Sequence, residues 1–360
     1  MPVKAAPGEI LIGNVASTTN PTSRENSSNL VLGYTVYFEH VNRSGGLHGR
    51  KLRLVNKDDG VVAERMVAAT EELIADPEIV ALAGFLNTAG LTELMKRNLL
   101  VEKGIAMIAP IGPMNVRNFY PMRPGYNEEA EALLQDSLAT KKKRVALVYY
   151  EQAFGPSVFK HTQEKAKAFG VDVVATASFQ TSPDKMAAGI QAAAQSLAKA
   201  NPDAVIIIAA GGGAFNFAKQ FRQTPAGTAQ LYTLSPADSF GFVKVAGLDN
   251  ARGVVISQAI PYPRNKRVGV VREYHRLMKQ FAPDKPISFY SLEGFMGAKI
   301  VVEAVRRAGP NPTRARVIAA LNTMSNYDLG DFFVSYTPEA RVGSKLVELT
   351  IIGSDGTLHW

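Results

Sequence analysis

The chain reads as an α/β protein built from two doubly wound lobes, each with a parallel sheet. Three observations lead there. Apolar strand-like runs alternate with amphipathic helical stretches almost throughout the 360 residues; a Pro/Gly-rich stretch interrupts the alternation; and the alternation then restarts. Parallel neighbours need long crossover connections, and helices supply these while covering both faces of the sheet.

The elements follow in order. A strand is expected over 10–15. Leu30, Tyr34, Tyr37, Phe38 and Val41 then recur at i, i+4, i+7, i+8 and i+11, the spacing of a helix with one buried face. Asn42 and Gly45-Gly46 stop that helix, since glycine accepts the left-handed conformation that ends helices. Gly49 turns the chain into a strand over 52–56, carried by Leu52, Leu54 and Val55 and ending at Asp58-Asp59. Helices near 61–75 and 91–103 then alternate with strands over 79–83 and 105–109. The break is Asn118-Phe119-Tyr120-Pro121-Met122-Arg123-Pro124-Gly125. Beyond it come strands over 145–149, 171–177, 204–209 and 231–234, separated by helices over 156–169, 185–200 and 214–222. A strand over 253–258 leads into Pro261-Tyr262-Pro263. Helices near 267–281, 290–308 and 313–322 and strands over 332–335 and 346–352 complete the chain.

Composition narrows the function. At 46% apolar and 20% charged residues the chain is an ordinary globular protein, long enough for two cores. Its net charge of +8 comes from scattered side chains; the one tight run, Lys141-Lys142-Lys143-Arg144, precedes a strand and reads as a solvated loop, not a nucleic-acid site. Without cysteine there are no disulfides, thiolate metal sites or cysteine nucleophiles. No apolar run reaches the roughly 18–20 residues that span a bilayer.

Catalytic and cofactor motifs are missing. The first strand runs into Gly13-Asn14-Val15-Ala16-Ser17-Thr18-Thr19, not the glycine pattern that cradles a dinucleotide. Gly211-Gly212-Gly213 follows a strand and opens a helix but lacks the lysine and hydroxyl of a phosphate loop. The five histidines are dispersed, so no zinc site is expected. Asp58-Asp59 reads as a polar cap between strand and helix. No enzyme, metal or cofactor is expected.

Residues 28–59, SNLVLGYTVYFEHVNRSGGLHGRKLRLVNKDD, together with the strand before them, resemble the start of the periplasmic leucine/isoleucine/valine-binding proteins, type I solute receptors of ABC importers. The resemblance covers nearly the whole chain. It implies a three-crossing hinge near 120–125, 255–260 and 328–336. Lobe 1 is then 1–122 plus 258–329, and lobe 2 is 123–257 plus 330–360, with the ligand between them.

In open parallel sheets ligands bind beyond the carboxyl ends of the strands, where helix N-termini offer unpaired N–H groups. Lobe 1 places Thr18 there, then Asn87, Thr88, Ala89 and Gly90, then Pro110, Ile111, Gly112 and Pro113. The resemblance makes Thr88 and Ala89 the counterparts of a serine-rich carboxylate-binding stretch; Thr88 as a plain helix cap is the alternative. Lobe 2 offers Gln152, Ala153 and Phe154, then Ala210 and Gly211, then Ser235 and Asp238. Phe154 matches a position that is commonly tyrosine and closes over the ligand. Tyr126 is either an aromatic contact or hinge packing. Family members that bind amino acids carry an aromatic near Ala210 and an acid near Ser235 for the ligand ammonium. This chain departs from both, with Asp238 the nearest substitute.

The expected function is capture of a small apolar carboxylate by lobe closure, the solute being an aromatic or branched-chain acid or amino acid. The expected partners are that solute and a membrane permease, with the receptor a monomer that binds no nucleic acid. The resemblance implies a periplasmic protein whose signal peptide has been removed and replaced by Met1. A cytosolic ligand-sensing regulator of the same fold and an α/β enzyme are the alternatives.

Overall fold

The structure, a computed structural model, describes residues 8–20, 23–112, 116–151, 154–180, 182, 184–237 and 239–359. The chain divides into two compact units, each discontinuous in sequence: 1–124 with 260–345, and 125–259 with 346–360.

In the first unit β1 (Glu9–Ala16), β2 (Lys51–Asp58), β3 (Ile79–Ala83), β4 (Met107–Ile108) and β5 (Phe119–Tyr120) form a parallel sheet ordered β2-β1-β3-β4-β5. β1 and β2 pair in unbroken register from Glu9 opposite Lys51 to Ala16 opposite Asp58, so their carboxyl ends lie side by side. Helix α1 (Arg24–Arg43) joins them, with Leu30, Tyr34 and Phe38 buried. Asn42 does more than end the helix. Its side-chain amide accepts from Leu52 N–H at 2.7 Å and donates to Leu52 O at 2.9 Å, tying the helix end to β2. Helix α2 (Ala63–Ala75) returns to β3. Where the sequence reads one helix over 91–103 there are two, α3 (Thr88–Lys96) and α4 (Leu99–Glu102). Asn98 separates them, in a left-handed conformation (φ +52°) that asparagine tolerates. β4 is shorter than expected because Ala109 leaves the strand conformation at φ +48°. Leu11, Val15, Met66, Leu73, Leu82, Phe85 and Leu94 form the core under these helices.

The second unit opens with α5 (Tyr126–Ala139), a helix that the sequence reading passes over. Its Gly125 N–H donates to the Glu128 carboxylate at 3.0 Å, and it buries Ala130, Leu133 and Leu134. Glu129 and Ser137, also buried, interrupt that apolar face and blur its period. Then β6 (Arg144–Tyr150), α6 (Gly155–Phe169), β7 (Asp172–Phe179), α7 (Met186–Ala198), β8 (Ala204–Ile208), α8 (Gly211–Arg222) and β9 (Gln230–Thr233) alternate as expected. Two short helices that the reading also lacks, α9 (Ser239–Ala246) and α10 (Leu248–Ala251), precede β10 (Val255–Gln258). β8, AVIII, is buried at every position, as a strand covered on both faces must be.

The chain returns to the first unit with α11 (Gly269–Phe281), α12 (Phe289–Ala308), α13 (Arg314–Asn322) and an antiparallel pair, β11 (Tyr327–Asp328) and β12 (Phe333–Val334). Helices α1 and α12 meet through glycines. A Cβ on Gly294 would lie 2.0 Å from Leu30 O, and one on Gly33 would lie 2.1 Å from Ser291 O. Arg123 Nε lies 2.8 Å from Glu293 Oε1 on α12, with both side chains buried. Burial pushes the Glu293 carboxyl up, against the pull of Arg123.

Last come β13 (Glu348–Ile352) and β14 (Leu358–His359), antiparallel additions that complete a seven-stranded sheet in the second unit, ordered β14-β13-β10-β9-β8-β6-β7. The third passage between units falls between Lys345 and Leu346, later than the expected 328–336. Residues 330–345 are held to the first unit: β12 pairs with β11, Tyr336 N–H donates to Met324 O and Gly343 N–H to Pro121 O, each at 2.8 Å. Among the described residues no helix is long and apolar enough to cross a membrane.

Candidate functional site

Two aspartates at the end of β2 organise the strand ends of the first unit. Asp58 Oδ1 accepts from Thr18 N–H at 2.7 Å, Thr18 Oγ1 at 3.0 Å and Thr19 N–H at 2.9 Å; its Oδ2 accepts from Thr19 Oγ1 at 2.7 Å. Desolvation raises the Asp58 pKa, but the hydrogen bonds from Thr19 and Thr18 outweigh it and hold the carboxyl below its usual range. Asp59 is buried. Its Oδ1 accepts from Ser17 Oγ and from Val61 N–H at 3.0 Å, and its Oδ2 accepts from Asn87 Nδ2 at 3.0 Å. The pair therefore fastens the β1–α1 connection and the start of α3 to one point.

Asn87 caps α3, its Oδ1 accepting from Gly90 N–H at 3.1 Å. Asn87 and Gly90, both expected to face a ligand, thus serve the turn itself, because the side chain of one and the N–H of the other already have partners. Thr88 is not the cap. It holds the first position of α3, partly exposed, and its hydroxyl makes no hydrogen bond among the described residues. Ala89 follows, exposed. The N–H groups of both belong to the first helical turn, which has no acceptors within the helix. Beyond β4, Pro110, Ile111 and Gly112 are buried, and Ile111 N–H donates to Phe85 O at 2.7 Å. Asn14 was missed. This buried polar residue inside the apolar strand β1 donates to Ala83 O at 2.7 Å and Gly84 O at 3.0 Å, fixing where β3 turns out of the sheet. A lone asparagine in an otherwise apolar strand was the available signal.

In the second unit Tyr126 opens α5 and packs on Phe154, with ring centroids 4.2 Å apart; Phe154 in turn meets Tyr150 at 5.1 Å. All three rings are buried, and desolvation, then Tyr126, pushes the Tyr150 phenol up. One turn further along α5 lies Glu129, also missed. Fully buried, it accepts from Ser235 N–H at 2.8 Å, Ser235 Oγ at 2.9 Å and Ser257 Oγ at 2.6 Å. A buried acid therefore lies against Ser235, but it comes from α5 and is engaged by Ser235 and Ser257. An acid on the apolar face of a helix was the signal. Gly211 begins α8 at φ +47°, its N–H 3.4 Å from Pro236 O, and Ala210 before it is the helix cap without a side-chain bond. A Cβ on Gly211 would meet nothing within 4 Å, so the space there is open. Pro113, Gln152, Ala153 and Asp238 lie outside the described residues.

Eight of the expected site residues fall into two groups. Thr18, Asn87, Thr88, Ala89 and Gly90 gather around the Asp58-Asp59 pair, while Tyr126, Phe154 and Ser235 gather along α5. Both groups stand where parallel strands end and helices begin, the place where open α/β sheets bind small molecules.

Comparison with known proteins gives that geometry a class. The sequence matches the family described as periplasmic binding protein over residues 9–350, and the chain belongs to that family. A Leu/Ile/Val-binding protein homolog from Brucella abortus is 23% identical over 299 residues, covering 76% of this chain and 71% of that one. An extracellular ligand-binding receptor from Verminephrobacter eiseniae superposes with a TM-score of 0.88 at 26% identity, covering 98% of this chain and 100% of that one. A substrate-binding periplasmic protein from Ralstonia solanacearum gives 0.87 at 29%, covering 97% and 99%. A branched-chain amino acid ABC transporter protein from Thermus thermophilus with bound valine shares the fold, with a TM-score of 0.83 at 18% identity over 98% of this chain and 94% of that one. The fold is that of type I periplasmic binding proteins.

Proposed function

We propose that this protein is the periplasmic solute receptor of an ABC importer, capturing a small, largely apolar carboxylate and presenting it to a membrane permease. The observation that carries this reading is the start of α3. There the Thr88 hydroxyl and the N–H groups of Thr88 and Ala89 are available at the positive end of a helix, on a turn that Asn87 and Asp59 hold rigid. Donors at a helix N-terminus favour an anion. The named relatives support a receptor and not an enzyme, and valine in the Thermus protein lies within the solute class proposed.

Among such solutes, aromatic or branched acids without an α-ammonium come ahead of leucine-like amino acids. Ala210 and Ser235 stand where amino-acid receptors place an aromatic and an acid, and Ser235 directs both its N–H and its hydroxyl at Glu129. Burying an ammonium without an acceptor is costly, whereas Phe154 and Tyr126 favour an aromatic or branched hydrocarbon. Native mass spectrometry of gently purified protein tests the class. The expected result is a single co-purifying small monocarboxylate; a sugar, a polyamine or a metal ion in its place would overturn the reading.

A further inference from the structure

Among the described residues nine non-glycine positions have positive φ, and most are of types that tolerate it: four asparagines, Asp331 and His48. Val61, at φ +68°, is the β-branched one. A branched Cβ in the left-handed region crowds its own backbone, so this conformation is strained. Packing does not repay it, because Val61 is 43% exposed and Val62 beside it 42%. The conformation is imposed by hydrogen bonds: Val61 N–H donates to Asp59 Oδ1 and Val62 N–H to Asp59 O, both at 3.0 Å. The same Asp59 carboxylate takes Ser17 Oγ and Asn87 Nδ2. An exposed, strained, apolar side chain is thereby fixed to the scaffold that shapes the carboxylate-binding turn, two residues from its central acid. Asparagine or glycine would satisfy the backbone there without strain, so the valine side chain itself needs a reason.

We propose that Val61, seconded by Val62, is a specificity-determining contact for the hydrocarbon part of the solute. This rests on the receptor function above and deepens it, adding the loop after β2 to the residues that meet the apolar part of the solute. Two variants separate side chain from backbone. Val61→Asn removes the strain together with the apolar surface, while Val61→Ile keeps both. Leucine, phenylalanine, 4-hydroxybenzoate and phenylpyruvate are titrated calorimetrically into the parent and both variants, and ligand-free thermal unfolding is followed for each.

Val61→Asn is expected to unfold at an equal or higher temperature than the parent while binding the best probe at least about fivefold more weakly, the loss of a small apolar contact. Val61→Ile is expected to bind within about twofold of the parent. Parental affinity in Val61→Asn overturns this inference alone and assigns the exposed pair elsewhere, a protein partner included. A lower unfolding temperature in Val61→Asn also overturns it, since the side chain would then be supporting the fold. A parent that binds none of the probes overturns the proposed solute class, and this inference with it.

Discussion

Asp58 shows how much one carboxylate does at a strand end. Four hydrogen bonds from Thr18 and Thr19 converge on it and lower its pKa relative to an unfolded aspartate. The stability this contributes is complete above the unfolded value, near ~3.9, and is lost as the pH falls through the lower folded value. Asp58→Asn should therefore unfold at lower urea than the parent by a constant margin at neutral pH, with the margin closing below about pH 4. A margin independent of pH would mean that the charge is not what holds the loop. The proposed function rests binding on Thr88. Loss of one hydrogen bond to a charged group costs roughly 1.5–3 kcal/mol, so Thr88→Val should weaken the best-binding acid about ten- to hundredfold. Thr88→Ser, which keeps the hydroxyl, should bind close to the parent, and equal binding by Thr88→Val would remove the hydroxyl from the site.

At the scale of elements, close packing and buried charge set the tolerances. Gly294→Ala would drive a methyl group to 2.0 Å from Leu30 O. Helices α1 and α12 must then move apart, at a cost of about 1–3 kcal/mol, readable as an earlier urea midpoint. Glu129→Ala leaves Ser235 and Ser257 without their shared acceptor and should cost roughly 3 kcal/mol; a stability loss within error would show that the serines repartner freely. Elements with an uninterrupted apolar period, such as α1 with Leu30, Tyr34 and Phe38, were legible in the sequence, as was β8. Helix α5 was not, because Glu129 sits inside its apolar stripe and only the folded chain brings Ser235 and Ser257 to it. The same holds for the candidate site. Thr88 at a strand-to-helix turn could be read from local chemistry, but the partner that relieves Asn87 of a ligand role is Asp59, 28 residues away in sequence, and Asn87 in turn takes the Gly90 N–H.

For the whole molecule, two units follow from the restart of strand–helix alternation after residue 125, while only the family resemblance implied that each is built from separated stretches of chain. The last stretch was read least well. Residues 330–345 carry little periodicity, and what binds them to the first unit is long-range: the bond from Gly343 N–H to Pro121 O and the edge-on packing of Tyr336 against Tyr120, 5.6 Å between centroids. The central claim is that this receptor takes a small apolar carboxylate, with acids lacking an α-ammonium ahead of amino acids. Calorimetric titration of phenylpyruvate and 4-hydroxybenzoate against phenylalanine and leucine tests it most directly. The account predicts that at least one of the two acids binds at about micromolar Kd or tighter, a binding free energy near −8 kcal/mol, and more tightly than either amino acid. Micromolar binding of leucine with no binding of the two acids would contradict it and require an acceptor for the ammonium that Ser235 and Ala210 do not provide.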